Sequence, residues 1–181
     1  TLRERIKDIL LLGELRTLIE KPVLRGAVNL QSVINSAVEE LADKTEERKI
    51  SVNVSVPLIA VTSNDKQLKI LFLNLISNAI LYSHNGGKVE VSAKQEDDCV
   101  CVSVSDHGIG IKSESLPRIF DEYFRTKAAA EFNRLSTGLG LAIVKQIALG
   151  LNLKISVTSE EGHGTKFEIA IPAGDIIKIG K

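Results

Sequence analysis

Apolar residues recur every three to four positions along four stretches of the chain, and this spacing predicts α-helices. The predicted helices cover residues 2–19, 30–42, 65–83 and 138–149. Asn29 is a suitable N-cap for the second helix, because its side-chain oxygen can accept a hydrogen bond from an N–H group of the first turn. Pro22 and Gly26 interrupt the periodicity and predict a linker between the first two helices.

Alternating apolar and polar residues predict β-strands in the intervening segments. The expected strands are residues 50–56, 58–62, 88–94, 99–106, 154–158 and 165–171. The connections at residues 85–87, 95–98 and 161–162 are short and rich in glycine or charge, which is typical of hairpin turns. Because hairpins pair their strands antiparallel, the pattern favours a mixed α/β arrangement over a fully parallel, doubly wound sheet.

A long segment between Gly110 and Gly138 keeps a pattern only at residues 116–125. A segment of this length without regular structure is typical of a functional lid in a compact domain. Residues 128–130 are three consecutive alanines, which offer little surface for packing. We therefore expect a mobile lid between Lys112 and Thr137.

Bulk composition excludes some classes of protein. The 181 residues include 23 basic and 23 acidic side chains, which argues against nucleic-acid binding through net charge. No apolar run approaches the roughly 20 residues needed to span a bilayer, so we expect a cytoplasmic domain, with the complete protein either soluble or anchored in a membrane. The chain starts at Thr1 and contains no methionine, which favours a fragment of a longer chain.

The two cysteines, Cys99 and Cys101, occupy alternate positions of one predicted strand. Both side chains should lie on the same face of the sheet, in a geometry poor for a mutual disulfide. The sequence contains neither a C-x-x-C pair nor a series with zinc-ligand spacing. We expect the pair to serve packing in a reducing compartment.

Asn74 and Asn78 lie four residues apart, and hence on one face of an otherwise apolar predicted helix. A buried amide costs about 1–3 kcal/mol unless its hydrogen bonds are made. Amide oxygens are also ligands suited to Mg²⁺. Two interpretations remain open for this pair, a magnesium site or hydrogen bonding to backbone and water.

Residues 106–110 (DHGIG) end a predicted strand, and alternation places Asp106 on the buried face with three valines. A carboxylate there needs a donor, for which the exocyclic amine of an adenine is suitable, and the glycines let backbone approach a flat ring. Residues 136–141 (STGLGL) open a helix, whose N–H groups and dipole form an anion site. A plain turn is the alternative for the first motif and close helix–helix packing at glycine for the second. The second motif matches neither a P-loop nor a Rossmann fingerprint.

In their order along the chain these motifs resemble those of sensor histidine kinases, a branch of the superfamily that also holds gyrase, the Hsp90 chaperones and MutL. Residues 73–79 (LNLISNA) are similar to the N box, 106–110 to the first glycine box, 120–124 (FDEYF) to the F box, 137–141 to the second glycine box and 162–172 to the closing G-x-G-T-x-F strand. The resemblance covers residues 30–172. It implies a Bergerat-type two-layer α+β sandwich, in which helices cover one face of a mixed, mainly antiparallel sheet and ATP lies beneath a lid.

The resemblance also implies roles for single residues. Asn78 would hold Mg²⁺ and Asn74 would face the phosphates, whereas Asp106 would bind the adenine amine and Thr165 would lie near the base. The residues expected to bind ATP are Asn74, Asn78, Tyr82, Asp106, Gly108, Ile109, Gly110, Arg125, Lys127, Thr137, Gly138, Leu139, Gly140, Leu141 and Thr165, and those expected to be catalytic are Asn74, Asn78 and Arg125. The lid cations among them, together with Arg134, would neutralise the γ-phosphate.

Two positions differ from the usual histidine-kinase pattern, and a third differs from the gyrase-like and MutL-like branches. Leu81 stands where the family usually has lysine, and Ser136 where it usually has glycine. Gyrase-like and MutL-like relatives carry a water-activating glutamate where this chain has Asn74, an amide that cannot act as a base. The sequence therefore favours phosphoryl transfer to a histidine, with a nucleotide-binding regulatory module and a gyrase-type ATPase clamp as alternatives.

The same resemblance divides the chain and implies its partners. Residues 1–22 would be the end of a dimerisation and phosphoacceptor hairpin, 23–28 a linker, 29–173 the ATP-binding catalytic domain and 174–181 a C-terminal tail. The three histidines, His84, His107 and His163, lie in turns or glycine boxes, so we expect the acceptor histidine upstream. The implied partners are ATP, that hairpin and a downstream response regulator, within a full-length homodimer, whereas the fragment alone is expected to be a monomer.

Overall fold

The computed structural model describes residue 6 and residues 8–14, 24–96, 99–132 and 136–177. The elements are β1 (Gly26–Asn29), α1 (Leu30–Glu40), α2 (Ala42–Arg48), β2 (Ser51–Ser55), β3 (Ala60–Ser63), α3 (Asp65–Tyr82), β4 (Lys88–Gln95), β5 (Cys99–Asp106), α4 (Lys127–Phe132), α5 (Gly140–Leu151), β6 (Lys154–Glu160), β7 (Gly164–Pro172) and β8 (Ile176–Ile177). Short 3₁₀ helices cover Ser113–Arg118 and Ala173–Asp175. Residues 8–14 are helical, in agreement with the first predicted helix, whose remaining residues lie outside the described ranges except for residue 6, which is also helical.

The main sheet has five strands in the order β2-β4-β5-β7-β6. β2 pairs with β4 in parallel, and the other three pairings are antiparallel. Along β5 every second residue, from Val100 to Asp106, is buried, because the inner face packs against α3 while the outer face carries serines and cysteines. The predicted mixed, mainly antiparallel sheet with helices on one face is confirmed.

α3 is the central helix of this layer and contacts both α1 and α5. Asn64 caps its N-terminus by accepting a hydrogen bond from the Gln67 N–H at 2.9 Å. Most of its apolar side chains are buried, with Leu71, Phe72 and Leu75 at 0% exposure. Each such side chain stabilises the fold by about 1.5–3 kcal/mol, so the helix that carries Asn74 and Asn78 is firmly anchored.

A second sheet has three strands in the order β1-β3-β8. Residues 26–28, within the expected linker, form most of β1, and residues 176–177, within the expected tail, form β8. Both strands pair antiparallel with β3, which is distant from each along the chain. The Arg25 guanidinium strengthens this join by donating to the Asp175 carboxylate at 3.3 Å and to the Leu151 carbonyl at 3.0 Å.

No helix in the part of the chain that the structure describes has both the length and the apolar content that crossing a bilayer requires.

Candidate functional site

Asp106, the last residue of β5, is a carboxylate on the buried face of the main sheet, as predicted. Only 7% of the residue is exposed. Burial raises its pKa from 3.8 to about 6, while backbone hydrogen bonds from Gly108 and Thr165 lower the pKa. The Gly108 N–H donates to Oδ1 at 2.9 Å. At neutral pH this position therefore holds a mostly ionised group that a further donor would stabilise.

The first glycine box packs directly against the end of α3. A Cβ added to Gly108 would lie 1.9 Å from the Tyr82 carbonyl oxygen, so no other residue fits there. The next residue, Ile109, donates its N–H to the same carbonyl at 3.1 Å. These contacts join the strand that ends in Asp106 to the helix that carries the two asparagines.

The glycines beyond this point let the β6–β7 turn approach the same strand end. Gly110 has φ +62°, and a Cβ there would lie 1.9 Å from the Glu160 carbonyl oxygen. Gly164 has φ +99°, and its Cβ would lie 2.0 Å from the Asp106 carbonyl oxygen. The motif glycines are therefore needed for backbone packing, which brings Thr165 to the carboxylate.

Ser159 is a member of this cluster that the sequence analysis missed. Its hydroxyl group donates to the Gly164 carbonyl at 2.7 Å and lies 2.8 Å from Thr165 Oγ1. It also accepts the Ile111 N–H at 2.8 Å. The signal was a polar residue on the inward-facing side of β6, in line with Ile155 and Val157.

Asn74 and Asn78 are half-buried and meet the start of α5. A Cβ on Gly140 would lie 3.0 Å from Asn74 Oδ1 and 3.9 Å from Asn78 Nδ2. Asn74 Nδ2 donates to the Ile70 carbonyl at 2.8 Å, so backbone hydrogen bonding accounts for that half of its amide. α5 begins without a side-chain cap, which leaves its first N–H groups beside the two amides.

The second glycine box and the F box are held against each other. Gly138 has φ +73°, and a Cβ there would lie 2.9 Å from the Tyr123 carbonyl carbon. The Tyr123 N–H donates to the Gly138 carbonyl at 3.0 Å. Thr137 Oγ1 accepts the Leu139 N–H at 3.2 Å and donates to Asp8 of the N-terminal helical segment at 3.0 Å. Leu139 is buried and Leu141 half-buried, so both anchor the box in the core.

The lid is more regular than the sequence predicts, because its three alanines lie within α4. Phe132 at the end of α4 contacts three side chains outside the lid. Its ring centroid lies 6.5 Å from that of Tyr82 and 6.3 Å from that of His84, and the Arg48 guanidinium carbon lies 5.4 Å from it. Phe132 therefore fastens the lid helix to the C-terminal end of α3.

Two of the predicted lid cations, Arg125 and Lys127, lie at α4. Arg125 donates from Nη2 to the Ala129 carbonyl at 3.2 Å, which ties its guanidinium to α4. Lys127 is exposed at the first residue of the helix. Arg134 lies outside the described residues. On the other side of the lid, the Tyr82 hydroxyl donates to Ser136 Oγ at 3.2 Å.

Comparisons with known proteins agree with this architecture. The family described as histidine kinase-, DNA gyrase B-, and HSP90-like ATPase matches residues 63–175. The sensor-like histidine kinase SenX3 of Mycolicibacterium smegmatis is 33% identical over 172 residues, which cover 94% of this chain and 44% of the relative. The phosphate regulon sensor protein PhoR of Pseudomonas aeruginosa is 30% identical over 166 residues, which cover 90% of this chain and 37% of the relative.

Solved structures of sensor histidine kinases have the same fold as this chain. The mycobacterial sensor histidine kinase MprB superposes with a TM-score of 0.71 at 28% identity, over 82% of this chain and 97% of that one. The Bergerat-type fold expected from the motifs is thereby confirmed. The chain spans less than half the length of the two curated relatives. With the motifs assembled at one end of the sheet and most of its length matched, the chain belongs to the family of histidine kinase-, DNA gyrase B- and HSP90-like ATPases.

Proposed function

We propose that the chain binds ATP with Mg²⁺ and transfers the γ-phosphoryl group to a histidine on a helical hairpin of its own protein, as the kinase of a two-component system. The observation that carries the proposal is the meeting of Asn74 and Asn78 with Gly140 at the uncapped start of α5. The N–H groups of α5 and the two amides of α3 are adjacent there. The first glycine box packs on the C-terminal end of α3 and follows the buried carboxylate of Asp106.

Asp106 would bind the adenine. A carboxylate has about four lone-pair sites, so its backbone hydrogen bonds leave capacity for the exocyclic amine. Because the position is nearly closed to water, a charge-assisted hydrogen bond there is stronger than one at the surface. Thr165 is buried next to the carboxylate, and Ser159 fixes its hydroxyl group at 2.8 Å.

The start of α5 would hold the phosphates. The N–H groups of the first turn and the helix dipole both favour negative charge, and Gly140 leaves room for close approach. Asn78 offers a half-buried amide oxygen, a hard ligand that fits Mg²⁺, which takes its remaining ligands from phosphate and water. Bound Mg²⁺ would supply charge neutralisation on the phosphates.

Asn74 favours transfer over hydrolysis. Its amide nitrogen is bound to the Ile70 carbonyl, and an amide cannot remove a proton from water. In the transfer, the bond from the γ-phosphorus to the ADP oxygen breaks and a bond to the unprotonated imidazole nitrogen forms. The other imidazole nitrogen then releases its proton to water. Catalysis of this kind depends on positioning and charge, to which Arg125 and Lys127 would contribute when the lid rearranges.

The experiment combines nucleotide binding with transfer in trans. The chain should bind ATP in calorimetric titration, release little inorganic phosphate alone and phosphorylate the upstream hairpin of the same protein. The product should be stable to base and labile to acid, as a phosphoramidate is and a serine ester is not. Binding without transfer would favour the regulatory module, rapid hydrolysis without the hairpin would favour the ATPase clamp, and no binding would contradict the whole proposal.

A further inference from the structure

The outer face of the main sheet carries a cluster of side chains that the nucleotide site does not use. It consists of Cys99 and Cys101 on β5 and Glu96, the residue after β4. The two Sγ atoms are 3.2 Å apart, and Glu96 Oε2 lies 3.9 Å from Cys101 Sγ. All three ligand atoms lie within 4.8 Å of one another, which no other group of three His, Cys, Asp or Glu does among the described residues.

Packing, the role expected from the sequence, does not account for this cluster. Both cysteines are only half-buried, whereas Val100 and Val102 beside them on β5 are fully buried in the core. Buried free cysteines behave as small apolar residues, but this pair faces solvent together with a carboxylate. The cluster is therefore available to bind something from solution.

The backbone fixes the three positions. Glu96 donates its N–H to the Cys99 carbonyl at 2.8 Å, which closes the β4–β5 hairpin beside the cluster. Cys101 lies opposite Lys94 in the antiparallel register, and Cys99 lies opposite Pro172 on the other side. β5 is paired with a strand on each side, which holds the backbone beneath the two cysteines in place.

We propose that Cys99, Cys101 and Glu96 form a binding site for one thiophilic divalent cation of the Zn²⁺ or Cd²⁺ class. Zinc binds thiolate at about 2.3 Å and carboxylate oxygen at about 2.0–2.2 Å, which places two tetrahedral thiolates about 3.8 Å apart. The present sulfur separation of 3.2 Å needs a small opening to reach that value. Three protein ligands leave the fourth position to water, as in open zinc sites.

A disulfide between the same sulfurs is disfavoured by the strand. Residues two apart on an extended strand have Cα atoms about 6.6 Å apart, near the upper limit for a disulfide. The sulfurs would also have to close to about 2.05 Å, which would bend β5 between two hydrogen-bonded neighbours. Bridging by a metal ion avoids this distortion, because it moves the sulfurs apart.

The test is a cadmium titration of the whole 181-residue chain. Cadmium thiolates absorb in the ultraviolet, so binding by sulfur is seen directly, and competition with a chelator gives the Zn²⁺ affinity. We expect one Cd²⁺ per chain with a thiolate absorption band. Stoichiometric Zn²⁺ should also slow alkylation of both cysteines, a measurement that needs no variant.

Single substitutions distinguish direct binding of the metal ion by a side chain from the general effect of a nearby negative charge. Cys99→Ser and Cys101→Ser, conservative changes at half-exposed positions, should abolish the band and weaken Zn²⁺ binding by at least about a hundredfold, and Glu96→Gln by about tenfold. The matched control is Glu168→Gln, which removes a carboxylate that faces the cluster but is bound to Lys166 at 2.6 Å, and it should leave the affinity unchanged. Cooperative thermal unfolding of each variant shows that it is folded.

Three results would overturn the metal site. The unaltered chain could show no stoichiometric cadmium thiolate band, or the band could survive in the Cys99→Ser, Cys101→Ser double variant. The third is that Zn²⁺ fails to protect the thiols from alkylation. Equal weakening by Glu96→Gln and Glu168→Gln would overturn the assignment of Glu96 as a ligand. None of these measurements involves nucleotide, so they stand apart from any failure of the proposed kinase activity.

Discussion

At the scale of single residues, Asp106 carries a charge at a position where burial disfavours it. Its pKa of about 6 exceeds the ordinary value of 3.8, so the folded domain binds this proton more tightly than the unfolded chain does. The loss of folding free energy caused by the buried charge is absent below about pH 4, grows as the pH rises and is complete above about pH 6. A pKa difference of this size between the folded and unfolded states corresponds to about 3 kcal/mol at neutral pH.

We expect Asp106→Asn to weaken ATP binding about ten- to hundredfold, because the adenine amine loses a charge-assisted acceptor. The same change should raise the thermal stability of the free domain at pH 7 and leave it unaltered at pH 4. Calorimetric titration and thermal unfolding at both pH values measure the two effects. Glu90→Gln, an acid-to-amide change at an exposed position, is the control. Unchanged ATP affinity would remove Asp106 from the site.

Asn78 is the residue whose role can be tested through Mg²⁺. In Asn78→Ala the affinity for ATP should no longer respond to Mg²⁺, since the amide oxygen is the protein ligand proposed for the ion. Calorimetric titrations with Mg²⁺ and with a chelator give the response, and Asn53→Ala, at an exposed position on β2, should retain it. If the unaltered chain binds ATP equally well in chelator, Asn78 does not hold the metal.

At the scale of elements, the lid is a short helix fastened at one end rather than an irregular loop. α4 has six residues, far fewer than a helix needs to be stable alone. Its described attachment outside the lid is Phe132, which is 38% exposed and packs on Tyr82, His84 and Arg48. The lid helix therefore depends on a few contacts, which is typical of a segment that opens locally.

Hydrogen exchange should show this dependence. Phe132→Ala should speed exchange across α4 by about two- to tenfold, the equivalent of one lost aromatic contact. In the unaltered chain a non-hydrolysable ATP analogue should slow exchange across residues 112–137 much more than ADP does, because the lid cations would contact the γ-phosphate. Leu149→Ala, which removes an exposed side chain from α5, is the control. Equal protection by both nucleotides would contradict the role of the γ-phosphate.

At the scale of the whole molecule, the N-terminal helical segment contacts the candidate site. Asp8 accepts the hydroxyl hydrogen bond of Thr137 at 3.0 Å, and Leu12, at 4% exposure, is buried in the core. Movement of that segment would therefore change the hydrogen bonding of Thr137 in the second glycine box. The proposed transfer also unites two parts of the molecule, since the site must meet a histidine on the hairpin.

Leu81 provides a test of the assembled reaction. Leu81→Lys should speed transfer to the hairpin by at least about tenfold if the half-buried side chain reaches a phosphate, because a hydrogen bond from a charged donor contributes about 1.5–3 kcal/mol. Leu81→Gln has a side chain of similar length without a charge, and it should leave the rate of transfer unchanged. The rate of labelled phosphate transfer from ATP measures both variants. Transfer in neither the unaltered chain nor Leu81→Lys, with ATP still bound, would leave the regulatory module as the function.

The sequence by itself determined the parts of this protein that depend on local periodicity. Alternation along β5 identified the buried face and put Asp106 on it, because neighbouring side chains of a strand must point to opposite faces. Three- and four-residue spacing placed α3 correctly to within one residue of its C-terminal end, and Asn29 caps α1 as predicted. The order of the motifs then indicated the family, since glycines and asparagines at those spacings serve a shared backbone geometry.

Only the tertiary structure decided which distant residues meet. β1 and β8 exist because β3 offers two edges to pair with, which no local pattern reveals. Ser159 accepts the N–H of Ile111, which is remote in sequence, and Phe132 packs α4 on the equally remote Tyr82. The cysteines show a similar limit at short range, since alternation gave them a common face but the closing of the β4–β5 hairpin brought Glu96 beside them. Periodicity encodes burial, whereas proximity is settled by the packing of the whole chain.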